Sequence, residues 1–134
     1  MEGSQRPLEL ILARNLLASL STPAFLIDAR GEIAFYNEAT GAMLGRRYEA
    51  TGPLPVEVWT RLFGPVDADG NPRPFEELEL TRAVRSNRPA HERLTMRPEG
   101  GPERQIEASA LPIVGAGGYR GAMVVFWTAE EEVA

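Results

Sequence analysis

Apolar and polar positions alternate in two distinct rhythms along this chain. Leu8, Ile11, Leu12, Leu16 and Leu20 recur at helical spacing, which predicts an amphipathic helix over 7–20 with Pro7 in its first turn and Ser21-Thr22-Pro23 as its stop. A strand over Ala24–Ile27 follows, then a tight turn at Ala29-Arg30-Gly31, then an alternating strand over Glu32–Tyr36. Asn37 is a good N-cap for a short helix, and Gly45 sits where a left-handed glycine would close it. Residues 46–55 read as loop, Val56–Phe63 as a short helix presenting Val56, Trp59 and Phe63, and 64–74 as a Pro/Gly/Asp loop. Phe75–Asn87 reads as one helix with Leu80, Ala83 and Val84 inward. Three strands complete the chain, His91–Arg97, Arg104–Val114 and Arg120–Trp127, joined by the turn-rich segments PEGGP and GAGGY.

The order L-x-D-x-x-G-x-I-x-x-x-N-x-A-x-x-x-x-L-G, carried by Leu26, Asp28, Gly31, Ile33, Asn37, Ala39, Leu44 and Gly45, resembles the opening of a PAS domain, the small sensory module of signalling proteins. Glu77, Arg82, Ala83 and Val84, the A-S-A-L-P segment Ala108–Pro112, and Gly121 extend the resemblance over residues 23–128. It implies an α+β fold: a five-stranded antiparallel sheet with short helices across one face, preceded here by the amphipathic helix of residues 1–22 and followed by an acidic tail, 129–134. Many PAS domains of kinases leave the last strand through an Asp-x-Thr hinge. Thr128 and Glu130 stand at those places, so the usual hinge is altered.

Alternation assigns one sheet face to Phe25, Ile27, Ile33, Phe35, Leu94, Met96, Ile106, Ala108, Ala110, Met123 and Val125. In a PAS fold this would be the concave face under the helices, where ligands bind when there are any. The alternation as read places no carboxylate or histidine there. Flavin-binding PAS domains offer a Cys and a set of Asn and Gln side chains, absent from this set, so no cofactor is expected. The face is either packed core or a site for a small apolar molecule. The opposite face receives Leu26, Tyr36, Leu111, Val124 and Phe126, and an apolar second face needs cover. The helical stripe Leu8, Ile11, Leu12, Leu16 and Leu20 is the expected cover, with a second subunit completing it about a two-fold axis. Leu10 or Leu17 is expected to remain exposed.

Composition narrows the chemistry. The 134 residues suit one domain with a real core. A net charge of −5 speaks against nucleic acid or an anionic membrane as partner. There is no Cys, and all 14 basic residues are Arg, so thiol chemistry and Schiff bases are excluded. No signal peptide is evident and no run approaches the ~20 apolar residues that span a bilayer, so a cytoplasmic location is expected. The glycines Gly115, Gly117 and Gly121 precede a strand, which makes them a hairpin turn and no dinucleotide fingerprint. Asp67, Asp69, Gly70 and Glu76 mimic part of a calcium loop, but Pro65 would occupy its first ligand place. His91 shares a face with Arg93, Thr95 and Arg97 and reads as a solvated surface residue; no hydrolytic triad and no metal site is expected.

The resulting expectation is a non-catalytic sensory or protein-interaction module of bacterial-type signal transduction or transcription regulation. It would be a homodimer, with the signalling partner or output domain lying elsewhere. Two alternatives stand beside it: a ligand-free dimerisation module, and a small enzyme on a cone-shaped sheet.

Overall fold

The computed structural model describes residues 8–115, 118 and 120–129. Pro7 in the first helical turn, Gly117 in the last hairpin and the acidic tail from Glu130 lie outside the described residues.

An antiparallel sheet of six strands organises the molecule, in the order β2-β1-β6-β5-β4-β3. Its strands are β1 (Ala24–Asp28), β2 (Ile33–Tyr36), β3 (Pro65–Val66), β4 (Ala90–Met96), β5 (Arg104–Val114) and β6 (Arg120–Thr128). Helix α1 (Leu8–Ala18) lies on one face. Helices α2 (Glu38–Leu44), α3 (Tyr48–Thr51), α4 (Val56–Phe63) and α5 (Leu80–Arg85) fill the connections between β2 and β4. Asn37 caps α2 as its residue type suggests, accepting from the Thr40 N–H, and Gly45 closes it at φ 72°. Gly64 closes α4 at φ 68°, and its backbone runs so close to the Arg97 carbonyl that a Cβ would collide with it.

Three expectations are corrected. The sheet has a sixth strand, β3, inside the segment read as loop: Pro65 and Val66 pair with Met96 and Thr95 at the edge. Two residues are too few for periodicity to register, and proline is tolerated on an edge strand. The segment 46–55 contains the single-turn α3, and Leu54 bridges to Ile33. The long helix over Phe75–Asn87 is broken: a 3₁₀ turn, Phe75–Glu77, ends in an extended Leu78, and only Leu80–Arg85 is α-helical. The break lets Phe75, Leu78 and Leu80 all reach the same core.

Two apolar clusters flank the sheet. The larger, under α4 and α5, holds Phe25, Ile27, Ile33, Tyr36, Trp59, Phe63, Ala108, Val124 and Phe126 among others. The smaller, under α1, holds Leu10, Leu17, Ala24, Leu26 and Phe35.

Candidate functional site

The inner, helix-covered face is built first by cross-strand pairing. Phe25 pairs with Val124, which pairs with Ala110, so these three share a face across β1, β6 and β5. The same ladder puts Ala108 beside Phe126 and Ile106 beside Leu94. Sequence alternation had the phase of β6 reversed. Met123 and Val125 pack on the α1 side, while Val124 and Phe126 point inward. The run Gly121–Trp127 is apolar at nearly every position, so only its register against β1 and β5 sets the phase. Phe35 and Tyr36 are exchanged too: Phe35 lies under α1 and Tyr36 in the inner cluster. A bulge is the cause. Leu26 pairs with Phe35 but Ile27 pairs with Ile33, which leaves Ala34 unmatched and lets Ile33 and Tyr36 face the same way.

Aromatic rings fill the inner face. Phe25 has Trp59, Phe63 and Phe126 each at 5.9 Å between ring centroids, and Phe63 meets Phe126 edge-on at 5.6 Å. The buried Trp59 is satisfied because its Nε1–H donates to the Gly31 carbonyl at 2.7 Å, tying α4 to the β1–β2 turn. A cavity of about 30 Å³ remains among Phe25, Trp59, Phe63, Leu94, Met96, Ile106, Ala108 and their neighbours. Every side chain on its wall is apolar. It has room for about one water molecule, against ~300–1,000 Å³ for pockets that hold drug-sized ligands. Trp59, Phe63 and Leu78 were not singled out as cavity residues in the sequence, since nothing local says that α4 and the 3₁₀ turn fold over the sheet.

The same face also holds a carboxylate, contrary to expectation. Glu92 stands two residues before Leu94 on β4 and pairs with Ala108, so alternation itself places it inward. Its Oε2 lies 2.7 Å from Arg73 Nη1, both side chains being largely buried, and its Oε1 accepts the Glu79 N–H at 2.9 Å. Glu92 is therefore occupied as an ion-pair partner and as an acceptor just ahead of α5.

The other face belongs to α1. Leu10 and Leu17 are the buried residues of the helix, with Ala13 beside them, whereas Leu8, Ile11, Leu12 and Leu16 are 63%, 43%, 57% and 49% exposed. The expected orientation is thus reversed. Both sides of this helix are apolar, so the sequence does not choose between them. The sheet does: Leu26 and Phe35 receive Leu10 and Leu17, and the Arg14 guanidinium lies 4.5 Å over the Phe35 ring and 5.4 Å from that of Tyr48. Leu20 packs at the margin of this cluster, and Leu111 is exposed on β5.

A buried polar knot joins the two faces. Asn37 Nδ2 donates to the carbonyl of Leu17, in the last turn of α1, at 3.1 Å and to that of Thr22, beyond the helix, at 2.8 Å. Its Oδ1 accepts from Ala24 and Thr40 N–H, both at 3.1 Å, and the Thr40 hydroxyl donates to the Ala24 carbonyl at 3.0 Å. Asn37 was legible as a cap; its hold on α1 was not.

His91 is exposed on the outer face, as read. Its ring nitrogens lie 2.8 Å from Ser109 Oγ and 2.9 Å from Glu107 Oε1. None of the described clefts is lined by any of the three. Among the described residues no group of three His, Cys, Asp or Glu side chains could hold a metal ion, and no helix is long and apolar enough to cross a membrane.

Comparison with known proteins agrees with this architecture. A family model described as the PAS fold matches residues 12–127. The PAS domain of Bordetella pertussis BvgS is similar at a TM-score of 0.61 and 15% identity, covering 92% of this chain and 88% of that one. A PAS domain from Colwellia psychrerythraea reaches a TM-score of 0.64 at 18% identity, covering 92% and 98%. The Rhodobacter sphaeroides LOV protein reaches 0.68 at 11% identity, covering 92% and 68%. Among curated protein sequences none matches this chain.

Proposed function

The chain belongs to the PAS family, and from that premise we propose a sensory and protein-interaction module of bacterial-type signal transduction or transcription regulation, located in the cytoplasm, without catalysis of its own, and homodimeric through its N-terminal helix. PAS domains are sensory modules found in signal-transduction proteins such as histidine kinases.

One observation carries the reading: the outward stripe of α1. Four large aliphatic side chains on three turns of helix are left in water, each worth ~1.5–3 kcal/mol if fully buried. The same face of the sheet carries Leu111, 45% exposed, which pairs with Met123 in the cluster packed under α1, and farther along β6 Trp127, 40% exposed, beside His91. A two-fold contact in which this stripe meets its own copy buries both at once. Because Asn37 ties the end of α1 to β1 and α2, a change inside the domain has a mechanical route to that contact.

A second reading concerns the interior, where the all-apolar wall suits a small apolar molecule. The volume of about 30 Å³ favours a packed core instead, since an occupant would need the flexible Met96 or the Phe63 ring to move aside.

Light scattering on the chain and on a Leu12→Glu/Leu16→Glu variant tests the assembly. A dimer that becomes a folded monomer supports it. A native chain that stays monomeric at high concentration, or a variant that stays dimeric, refutes it.

A further inference from the structure

At the edge of the sheet, away from α1, a groove of about 560 Å³ opens between the end of α4, β3 and the end of β4. Its charged wall residues are Arg61, Arg73 and Arg97, and no Asp or Glu lines it. We propose that this groove binds a small organic anion carrying two or more oxyanion groups, such as a tricarboxylate or a phosphate ester.

The arginines line the groove from three separate elements, α4, the loop after β3 and the end of β4. Arg73 is already neutralised by the largely buried Glu92, which leaves Arg61 and Arg97 as two cations for an added anion and calls for more than one oxyanion group. A net charge of −5 opposes anions over the molecule as a whole. A cleft lined by one sign of charge focuses the field locally, however. The arginines are held from outside the groove. Arg73 is fixed by Glu92 at 2.7 Å and by the Glu77 carbonyl, to which its Nη2 donates at 2.9 Å. Arg97 pairs with Glu103 at 3.0 Å and Arg61 with Glu99 at 3.6 Å, with both members of each pair at least half exposed. Such surface pairs are weak, and a guanidinium has five N–H donors in a planar fork, so a multivalent anion competes well for them.

The loop is shaped to the same end. A Cβ on Gly70 would stand 3.3 Å from Arg97 Nη2, so glycine leaves that guanidinium room to lie over the loop. The nearby Asp67 carboxylate is turned into its own loop, where Oδ1 accepts from the Asp69 and Asn71 N–H groups at 2.9 Å.

The test is a titration of the isotope-labelled chain with citrate, inorganic phosphate and acetate, followed at the amides of Gly64, Gly70 and Arg97. Saturable shifts confined to the groove are expected, weakening with added salt, with citrate or phosphate at least about tenfold tighter than acetate. Citrate ahead of phosphate points to polycarboxylates, and the reverse order to phosphate esters. Arg61→Gln combined with Arg97→Gln should lower the affinity about tenfold with Tm unchanged, because both side chains are exposed. No saturation by about 10 mM, shifts of equal size around Arg30 and Arg120, acetate binding as tightly as citrate, or full affinity in the double variant would each overturn the proposal.

Discussion

The side-chain amide of Asn37 donates to the main-chain oxygen of Leu17 across 3.1 Å, joining the start of α2 to the last turn of α1. The bond links two elements twenty residues apart and is buried. The same amide serves Thr22, and its oxygen serves Ala24 and Thr40. Replacing Asn37 by Ala removes a helix cap and strands several buried main-chain groups. The expected cost is ~3 kcal/mol or more, measured by urea unfolding. Amide exchange should also quicken in α1. A loss below about 1 kcal/mol would mean that the knot has little weight in the fold.

Phe35 lies under α1 with Arg14 above it, so its truncation should act on the helix as well as on global stability. Phe35→Ala is expected to cost ~3–5 kcal/mol. Arg14→Ala should cost about 1 kcal/mol, the scale of one cation–π contact with its packed stem. Proteolysis within residues 8–18 should rise in both variants. Resistance equal to that of the native chain would argue against this docking of α1.

The Arg73–Glu92 pair is largely buried, so removing one partner leaves the other charge uncompensated. Arg73→Met or Glu92→Met alone is expected to cost about 3 kcal/mol, and the double substitution clearly less than the sum. Additive losses in a double-mutant cycle would show that the two groups do not depend on each other.

Gly64 has a positive φ and no space for a side chain against the Arg97 carbonyl. Gly64→Ala should lower Tm by several degrees, corresponding to at least about 1 kcal/mol, and should loosen β3 from β4. An unchanged melting curve would contradict the geometry of this crossing.

Deleting residues 1–20 should give a monomer or an aggregating protein, since the apolar surface of Leu26 and Phe35 would lose its cover. A truncated chain that remains a well-behaved dimer in light scattering would place the interface elsewhere.

Local chemistry made much of this fold legible from the sequence. Asn37 as a cap, Gly31 in the first turn, Gly45 as a left-handed stop, and the strands β4 to β6 each follow from the conformational needs of residues near in sequence. Alternation placed the faces of β5 because Gln105, Glu107 and Ser109 interleave with the inward Ile106, Ala108 and Ala110. β1, apolar and buried from Ala24 to Ile27, offers no such contrast, and Phe25 and Ile27 face inward through pairing with β6. Tertiary structure decided the rest, wherever both sides of an element are apolar. β6 took its phase from pairing with β1 and β5; β2 took two inward residues from a bulge that no pattern within four residues can announce. Helix α1 turned Leu10 and Leu17 inward only because Leu26 and Phe35 offer the matching surface. The cavity wall of Trp59 and Phe63, the burial of Glu92 against Arg73 and the three-arginine groove all join residues from separate elements. Periodicity reports which side chains share a face; only packing decides what each face meets.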